Sequence, residues 1–437
     1  MVRWVMGHSE PGSIAPGEAL INAPGVAWRV PGAHPMQIIL GITGGVAAYK
    51  SADLARLLAN QGHRVRCILT EAGARFITPL TLSSLTGEPC YGANPDQGEW
   101  RANPSIEHIE LARWADLVAV VPATANILGK AANGLASDLL STVLLATRAP
   151  VLWAPAMNTG MWEHPAVQAN LARLRSFGHA VVDPGEGVLA CGEEGSGKLA
   201  DVASIAEAIQ VHGTPKLRSL NGRRILITSG PTREDLDPVR TLTNRSTGAM
   251  GIELARAFRD VGARVQLVLG GDLLAPWGVD TVRVRSAQEM LAACESRWGG
   301  ADGLVGAAAV ADQRPESSAC EKVKKGDGPE TLVLVRTPDI LATLSAARRA
   351  DQWILGFAAE SENHLAHAAA KLQKKHLDAV LVNDVQGGRA FGAQANTLTP
   401  VTAQGPQPPM GPLPKDQLAR AVVQWWGHRL EATERGR

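Results

Sequence analysis

The sequence has little that would staple it, anchor it in a bilayer or steer it electrically. Its five cysteines, at 67, 90, 191, 294 and 320, are odd in number and widely spaced, and no C-x-x-C pair occurs. That pattern argues against a zinc ribbon or a disulfide framework and predicts reduced thiols, as in a cytoplasmic protein. No apolar run approaches the ~20 residues that span a membrane, so no membrane partner is expected. Net charge is +1, without a block of like charge, and no nucleic-acid partner is expected either. Neither leading strand is followed by G-x-G-x-x-G, which argues against a nicotinamide dinucleotide site. Residues 1–35 carry Gly, Pro and scattered Trp without the charged-then-apolar order of a signal peptide. They read as an extension, disordered or not native, ahead of a start at Met36.

What remains is a chain too long for one core, at 437 residues with 45% apolar and 19% charged side chains. From Met36 the pattern is strand, glycine turn, helix, strand: Ile38–Ile42 is apolar, Thr43-Gly44-Gly45 is the turn, and Leu54, Leu57 and Leu58 keep helical spacing up to Asn60. Arg64–Leu69 reads as the next strand. His108 precedes a short helical-looking segment, and the apolar run Leu117–Val121 breaks into Pro122-Ala-Thr-Ala-Asn126. A buried strand that ends in small polar residues offers backbone N–H groups where open α/β sheets hold ligands. An ordinary strand and loop would look the same.

The unit recurs. Ile225–Gly230 is again strand plus glycine turn, Leu254–Val265 parallels Leu54–Val65, and Ala115–Val120 is echoed by Ala301–Ala307. The second copy adds a loop, Pro231–Thr247, between turn and helix. The fold class is therefore α/β: two tandem, doubly wound, Rossmann-like domains with right-handed crossovers. The expected division is 36–212, a linker at 213–222 rich in Gly and Pro, and 223–437. Five glycines around Cys191, from Gly185 to Lys198, predict a mobile loop or lid. In the second domain, Ala307–Asp312 is read as ending a strand in a polar residue. A basic stretch contains Lys322, Lys324 and Lys325. Thr337–Ile340 opens a helix, Gly356–Glu360 ends a strand, and Lys371, Lys374 and Lys375 lie near a helix end.

From Met36 almost to the C-terminus the sequence closely resembles the bifunctional phosphopantothenoylcysteine decarboxylase/phosphopantothenate–cysteine ligase family of coenzyme A biosynthesis. In the first half the likeness rests on GITGGVAAYK (Gly41–Lys50), TEAGARFITPL (Thr70–Leu80), HIELARWADL (His108–Leu117), PATAN (Pro122–Asn126), ASDLLST (Ala136–Thr142), PAMN (Pro155–Asn158) and ACGEEGSGKL (Ala190–Leu199). In the second it rests on TSGPTREDLDPVR (Thr228–Arg240), TNRSTGAMG (Thr243–Gly251), AAVAD (Ala308–Asp312), EKVKK (Glu321–Lys325) and GFAAE (Gly356–Glu360).

The resemblance implies that the first half is a flavodoxin-like, FMN-dependent decarboxylase. FMN would lie against Gly44, Gly45, Thr70, Ala123, Thr124 and Asn126, with His108, Asn158 and Cys191 as catalytic residues. A cysteinyl carboxylate loses CO₂ only if something accepts the electrons left behind, and a flavin can take them and return them. The amide of Asn158 suits the substrate carboxylate, His108 the proton of the oxidation step, and Cys191 the final protonation of carbon. Lys198-Leu199 stand where the family usually has Arg-Met.

For the second half it implies a ligase that joins 4′-phosphopantothenate to L-cysteine through an acyl-nucleotide made from CTP, with Mg²⁺ near Asp312. Lys322 matches the family's essential lysine, and Asn244 matches the asparagine that acts on the intermediate. Gly306, Ala307, Ala308, Asp312, Pro338, Asp339, Ile340, Leu341, Phe357, Lys371 and Lys375 match nucleotide-binding positions. Gln313 and Cys320 depart from the family where an aromatic residue and a proline are common. The family also implies a large homo-oligomer, trimeric through the decarboxylase and dimeric through the ligase. Two other readings compete: a nicotinamide-dependent oxidoreductase, and a flavin- and nucleotide-binding regulator without activity.

Overall fold

The computed structural model describes residues 35–92, 104–189, 192–324, 331–360, 363–384 and 395–435. The expected extension at 1–35 lies outside them but for Pro35, as do Cys191 and Lys325. No helix of the described residues is long and apolar enough to cross a membrane.

The first half is one parallel sheet. Its strands are β1 (Gln37–Ile42), β2 (Arg64–Leu69), β3 (Cys90–Gly92), β4 (Leu117–Ala123), β5 (Val151–Pro155) and β6 (Ala180–Val181), in the order β3-β2-β1-β4-β5-β6. Every residue of β4 and β5 is buried. That is the signature of parallel strands covered on both faces, where alternation of apolar and polar residues disappears. Alternation of direction persists: Ile38, Leu40 and Ile42 pack with Leu54, Leu58 and Ile205 of the helices Lys50–Asn60 and Val202–Gly213. Ile39 points the other way, into the cluster of Leu111, Ile127, Leu140 and Leu171. After β6 comes an antiparallel hairpin, β7 (Gly185–Val188) and β8 (Glu194–Lys198). The glycine-rich stretch expected as an irregular loop is thus largely paired strand.

The second half repeats the winding. Its strands are β9 (Arg224–Ser229), β10 (Arg233–Asp235), β11 (Thr241–Thr243), β12 (Arg264–Leu269), β13 (Asp280–Arg283), β14 (Gly303–Gly306), β15 (Gln313–Pro315), β16 (Leu334–Arg336), β17 (Trp353–Glu360), β18 (Ala379–Asp384), β19 (Ala395–Thr402), β20 (Gly405–Pro406) and β21 (Met410–Pro414). The main sheet runs β13-β12-β9-β14-β17-β18-β19-β20, with β21 also on β19, and turns antiparallel at β19. The inserted loop expected at 231–247 contains the small hairpin β10–β11, and β15–β16 forms another. Ala307–Asp312 lies beyond β14 rather than within a strand. The long helix Lys415–Arg435 closes the domain, bringing Trp425 and Trp426 against the core. The ring of Trp426 lies 5.2 Å from that of Trp353, which in turn stacks on Phe258. Trp353 can lie there because Gly303 opposite has no side chain: a Cβ would stand 2.1 Å from the ring.

A charged cluster joins the halves. Glu207, on the helix Val202–Gly213, accepts from Arg256 and Arg259, each at 2.8 Å, and from the Trp277 amide at 2.9 Å. Burial works against its ionised form, but the two guanidinium groups outweigh that and hold the carboxyl below its ordinary range.

The turn after β9 depends on one glycine. Gly230 has φ +84°, and a Cβ there would stand 1.9 Å from the carbonyl oxygen of Gly270, which is backbone and cannot swing aside. Gly230→Ala is therefore expected to destabilise the second half by about 1–3 kcal/mol or more, read as a lowered denaturant midpoint for that half.

Candidate functional site

Both sheets reverse their strand order beside their first strand, between β1 and β4 and between β9 and β14. At such a point the two following loops part to opposite faces and leave a crevice at the carboxyl edge. The ladder stops there, so backbone groups just beyond it need other partners.

In the first half Thr43 supplies them. Its buried hydroxyl donates to the Pro122 carbonyl (2.6 Å) and accepts from the Thr124 amide (3.2 Å). Ser51 donates to the Val121 carbonyl at 2.6 Å. These three bonds fix the glycine turn and the helix after it against the Pro122–Asn126 turn, although neither Thr43 nor Ser51 was among the expected site residues. Thr43 does lie within the quoted Gly41–Lys50 motif, but its partner is 79 residues away. Thr70 is drawn in as well, its hydroxyl donating to the Ile42 carbonyl (3.2 Å) and accepting from the Gly73 amide (3.1 Å). Thr124 precedes the helix Ala125–Ala132, whose free N–H groups suit an anion, and Asn126 on its first turn is exposed.

The two glycines of the turn differ. A Cβ on Gly44 would stand 2.4 Å from that of Ala72, so the fold itself requires glycine there. Gly45 is extended, with φ −155°, and a Cβ on it would meet only the Thr124 methyl at 3.8 Å. The protein's own packing does not demand glycine at 45. A ligand lying in the crevice would, and a flat flavin fits that requirement.

Asn158 follows β5 and caps the short helix Thr159–Trp162, its Oδ1 accepting from the Gly160 amide at 2.8 Å. Its Nδ2 donates to the Glu193 carboxylate at 2.6 Å. Hairpin β7–β8 is held over this turn by the Met157 amide on the Gly197 carbonyl (3.0 Å) and by the Thr159 hydroxyl on the Ser196 carbonyl (2.8 Å). Cys191 lies outside the described residues; beside it Leu189 N–H donates to the Glu193 carbonyl and Gly192 N–H to that of Leu189. His108 is half-buried within the helix Pro104–Trp114 rather than ahead of it. That helix runs back from β3 to the start of β4, so its first turns lie toward the carboxyl edge. Burial pushes the thiols of Cys90 and Cys294 up to about 12 and Cys67 higher still, which makes these three packing groups rather than nucleophiles.

At the second crevice the loops are joined by backbone. Ala307 N–H donates to the Thr228 carbonyl (3.1 Å) and Ala309 N–H to that of Gly230 (3.0 Å). The fully buried Thr232 accepts from the Ala311 amide at 2.9 Å. Asn244, just past β11, donates through Nδ2 to the carbonyls of Ala309 (3.1 Å) and Val310 (3.0 Å). Asp312 is exposed, and its carbonyl accepts from Thr337 N–H, which brings the Pro338–Leu341 segment alongside. Asp339 caps the helix Ile340–Ala346 and pairs with Lys375 at 2.8 Å. Its burial opposes ionisation, yet the Lys375 ammonium and the cap amide hold it below the usual range. Lys371 donates to the Phe357 carbonyl at 2.6 Å. Leu341 fills the space over Gly306, where a Cβ would stand 2.6 Å from it, and Leu377 that over Gly356, at 2.8 Å. Positions from four of the quoted motifs, and from two segments outside them, thus meet at one edge.

Lys322 is exposed, in the segment between β15 and β16. Asp237, which sequence reasoning did not single out, is fully buried beneath it. Burial alone would raise its pKa, but amide donors from Val239, Arg240 and Val323 with the Arg240 side chain bring it down to about 2. Among the described residues no three His, Cys, Asp or Glu side chains are grouped to hold a metal.

Two family models cover the chain: the flavoprotein model matches residues 32–212, and the DNA/pantothenate metabolism flavoprotein C-terminal domain matches 220–428. The coenzyme A biosynthesis bifunctional protein CoaBC of Vibrio cholerae is 41% identical over 391 residues, which is 89% of this chain and 96% of that protein. Its Bacillus subtilis counterpart is 43% identical over 367 residues, 83% of this chain and 89% of the other. The crystal structure of the C-terminal domain of a protein of that name is 37% identical, covering 49% of this chain and 98% of the other, with a TM-score of 0.42.

The contrast between the two glycines is testable. Gly44→Ala should lose about 1–3 kcal/mol of stability through overpacking against Ala72. Gly45→Ala should stay within about 0.5 kcal/mol of the parent in denaturant titration while retaining less flavin after purification.

Proposed function

The chain belongs to the family of bifunctional coenzyme A biosynthesis proteins, and from that membership we propose how its two halves divide the work. It is an enzyme of two activities: it ligates phosphopantothenate to cysteine and decarboxylates the resulting phosphopantothenoylcysteine. We assign decarboxylation to residues 36–212 and ligation to 223–437, with 213–222 as the linker. The end of one helix at Gly213 and the start of β9 at Arg224 support that division.

FMN is the flavin we assign to the first crevice, held by Gly44, Gly45, Thr70, Ala123, Thr124 and Asn126. The room at Gly45 carries this reading. When bound, the flavin supplies a reversible electron sink that lets CO₂ leave an otherwise unstabilised carbon. Asn158 holds the substrate carboxylate through its amide NH₂, the group that meets the Glu193 carboxylate in this structure. His108 takes the proton from the reacting thiol, and Cys191 protonates carbon at the end.

In the second half the nucleotide is CTP, accompanied by Mg²⁺ near the Asp312 carboxylate. Gly306–Ala308 and Pro338–Leu341 offer it backbone, while Lys371 and Lys375, one helical turn apart, offer positive charge. Lys322 neutralises charge that develops as pyrophosphate leaves, and Asn244 orients the acyl-nucleotide for attack by the cysteine amine. The contacts of Lys371 with Phe357 and of Lys375 with Asp339 support this assignment, since they bring four of the positions implied by the resemblance to one edge of the sheet. We place the enzyme in the cytoplasm as a large homo-oligomer, with trimeric contacts through the first half and dimeric contacts through the second. Exposed Val46, Tyr49, Phe76 and Leu80 around the first crevice support self-association there.

Purified protein should be yellow and release FMN on denaturation; colourless protein that takes up NAD instead would overturn the flavin assignment. With 4′-phosphopantothenate, cysteine, CTP and Mg²⁺ it should yield pyrophosphate, CMP, CO₂ and 4′-phosphopantetheine. Cys191→Ser should still release CO₂ from phosphopantothenoylcysteine but accumulate an oxidised product, seen by mass spectrometry. Normal product at a normal rate would remove Cys191 from the acid role. Lys322→Gln should lower ligation on the order of 10²-fold or more while decarboxylation of supplied phosphopantothenoylcysteine continues.

A further inference from the structure

We infer that Asp237 is the positioning residue for Lys322, so that ligation depends on a buried carboxylate acting through the lysine. The inference rests on the role proposed above for Lys322.

The hairpin β10–β11 turns through residues 236–240, closed by Leu236 N–H on the Arg240 carbonyl at 2.9 Å. Inside the turn, Asp237 Oδ1 accepts from the amides of Val239 and Arg240, both at 2.8 Å. One acceptor oxygen is all such a turn needs, and Asn or Ser commonly provides it. The second oxygen does something else. Oδ2 accepts from the Arg240 side chain at 2.9 Å and from the backbone amide of Val323 at 3.3 Å. Val323 follows Lys322 directly. A second link lies three residues before the lysine, where Ala319 N–H donates to the Leu236 carbonyl at 3.0 Å. The segment carrying Lys322 is therefore tied to one turn on either side of the lysine.

The other end of the same hairpin holds Asn244 against Ala309 and Val310. One rigid ribbon sets both groups, Asn244 at its foot and Lys322 at its tip. A fully buried ionised carboxylate is costly unless every lone pair is used, and here both oxygens are. A lysine on a loose segment has backbone as well as side-chain freedom to lose, and fixing its backbone on both sides removes the backbone part before the triphosphate arrives.

Asp237→Asn tests this selectively. Asn keeps the oxygen that closes the turn but presents NH₂ where Val323 N–H needs an acceptor. Asp237→Ser is the second variant: its hydroxyl can serve the turn but is too short to reach Val323. With the full chain loaded with FMN, either variant should decarboxylate supplied phosphopantothenoylcysteine at the parent rate, and kcat/KM for ligation should fall on the order of 10- to 100-fold. Equilibrium titration with CTP then separates positioning from general damage in a double-mutant cycle. Asp237→Asn should weaken CTP binding about threefold or more in the parent, and by less than about 1.5-fold when Lys322 is already Gln. Equal weakening in both backgrounds would mean that Asp237 acts by another route, through Arg240 for instance, and would overturn the inference. Parent-level ligation in both variants would overturn it as well. If Lys322→Gln itself binds CTP and ligates normally, the reading of Lys322 fails first and the inference falls with it.

Discussion

The structure depends on what happens where a parallel sheet reverses its strand order. Between β1 and β4 the ladder ends after Gly41 pairs with Val120, and the two chains then leave in opposite directions. Their backbone groups cannot stay bare in a buried setting. In the first half one threonine hydroxyl takes over both roles of the ladder, donating to Pro122 and accepting from Thr124. In the second half the backbone continues the pairing itself, as Ala307 and Ala309 reach the carbonyls of Thr228 and Gly230. Each solution holds open a crevice whose rim carries N–H groups, and each proposed active site is arranged around one of these crevices.

Local signals in the chain fixed a good part of this in advance. β2 runs over the very residues expected, Arg64–Leu69, because a glycine at 62 ends the helix before it and an unbroken apolar period follows. The start of β4 at Leu117 was also as expected, although the strand runs past Val121 through Pro122 to Ala123. What escaped were contacts between segments far apart in sequence. Thr43 with Pro122, Asn158 with Glu193, and Asp237 with Val323 are each a pairing of two ordinary residues that becomes informative only when the chain is folded. His108 was placed ahead of its helix because the helix Pro104–Trp114 has no strong apolar stripe. The hairpin β7–β8 was hidden because glycines that read as a loop are instead packed against Met157 and Thr159.

The two halves differ less in framework than in what is inserted into it. The first half adds hairpin β7–β8 beyond its parallel sheet, laid over the turn at Asn158. The second adds β10–β11 after its first strand and β15–β16 after β14. Glu207 and its two arginines then join helices that belong to different sheets. That cluster is partly screened from solvent, with Arg259 buried, so it holds more firmly than a surface ion pair of the same geometry.

The stacked rings of Phe258, Trp353, Trp426 and Trp425 also make the second half optically distinct. Indoles this close exchange excitation and shape one another's circular dichroism, and their emission is that of a dry site. The signal needs the helix Lys415–Arg435 seated on its domain, because Trp425 and Trp426 come from it. Undocking that helix would separate the rings and abolish their coupled circular dichroism. A flavin absorbs in the visible instead, and we assign it to the other sheet. The chain thus carries two spectroscopic clocks, and the opening of each half can be timed without cutting them apart.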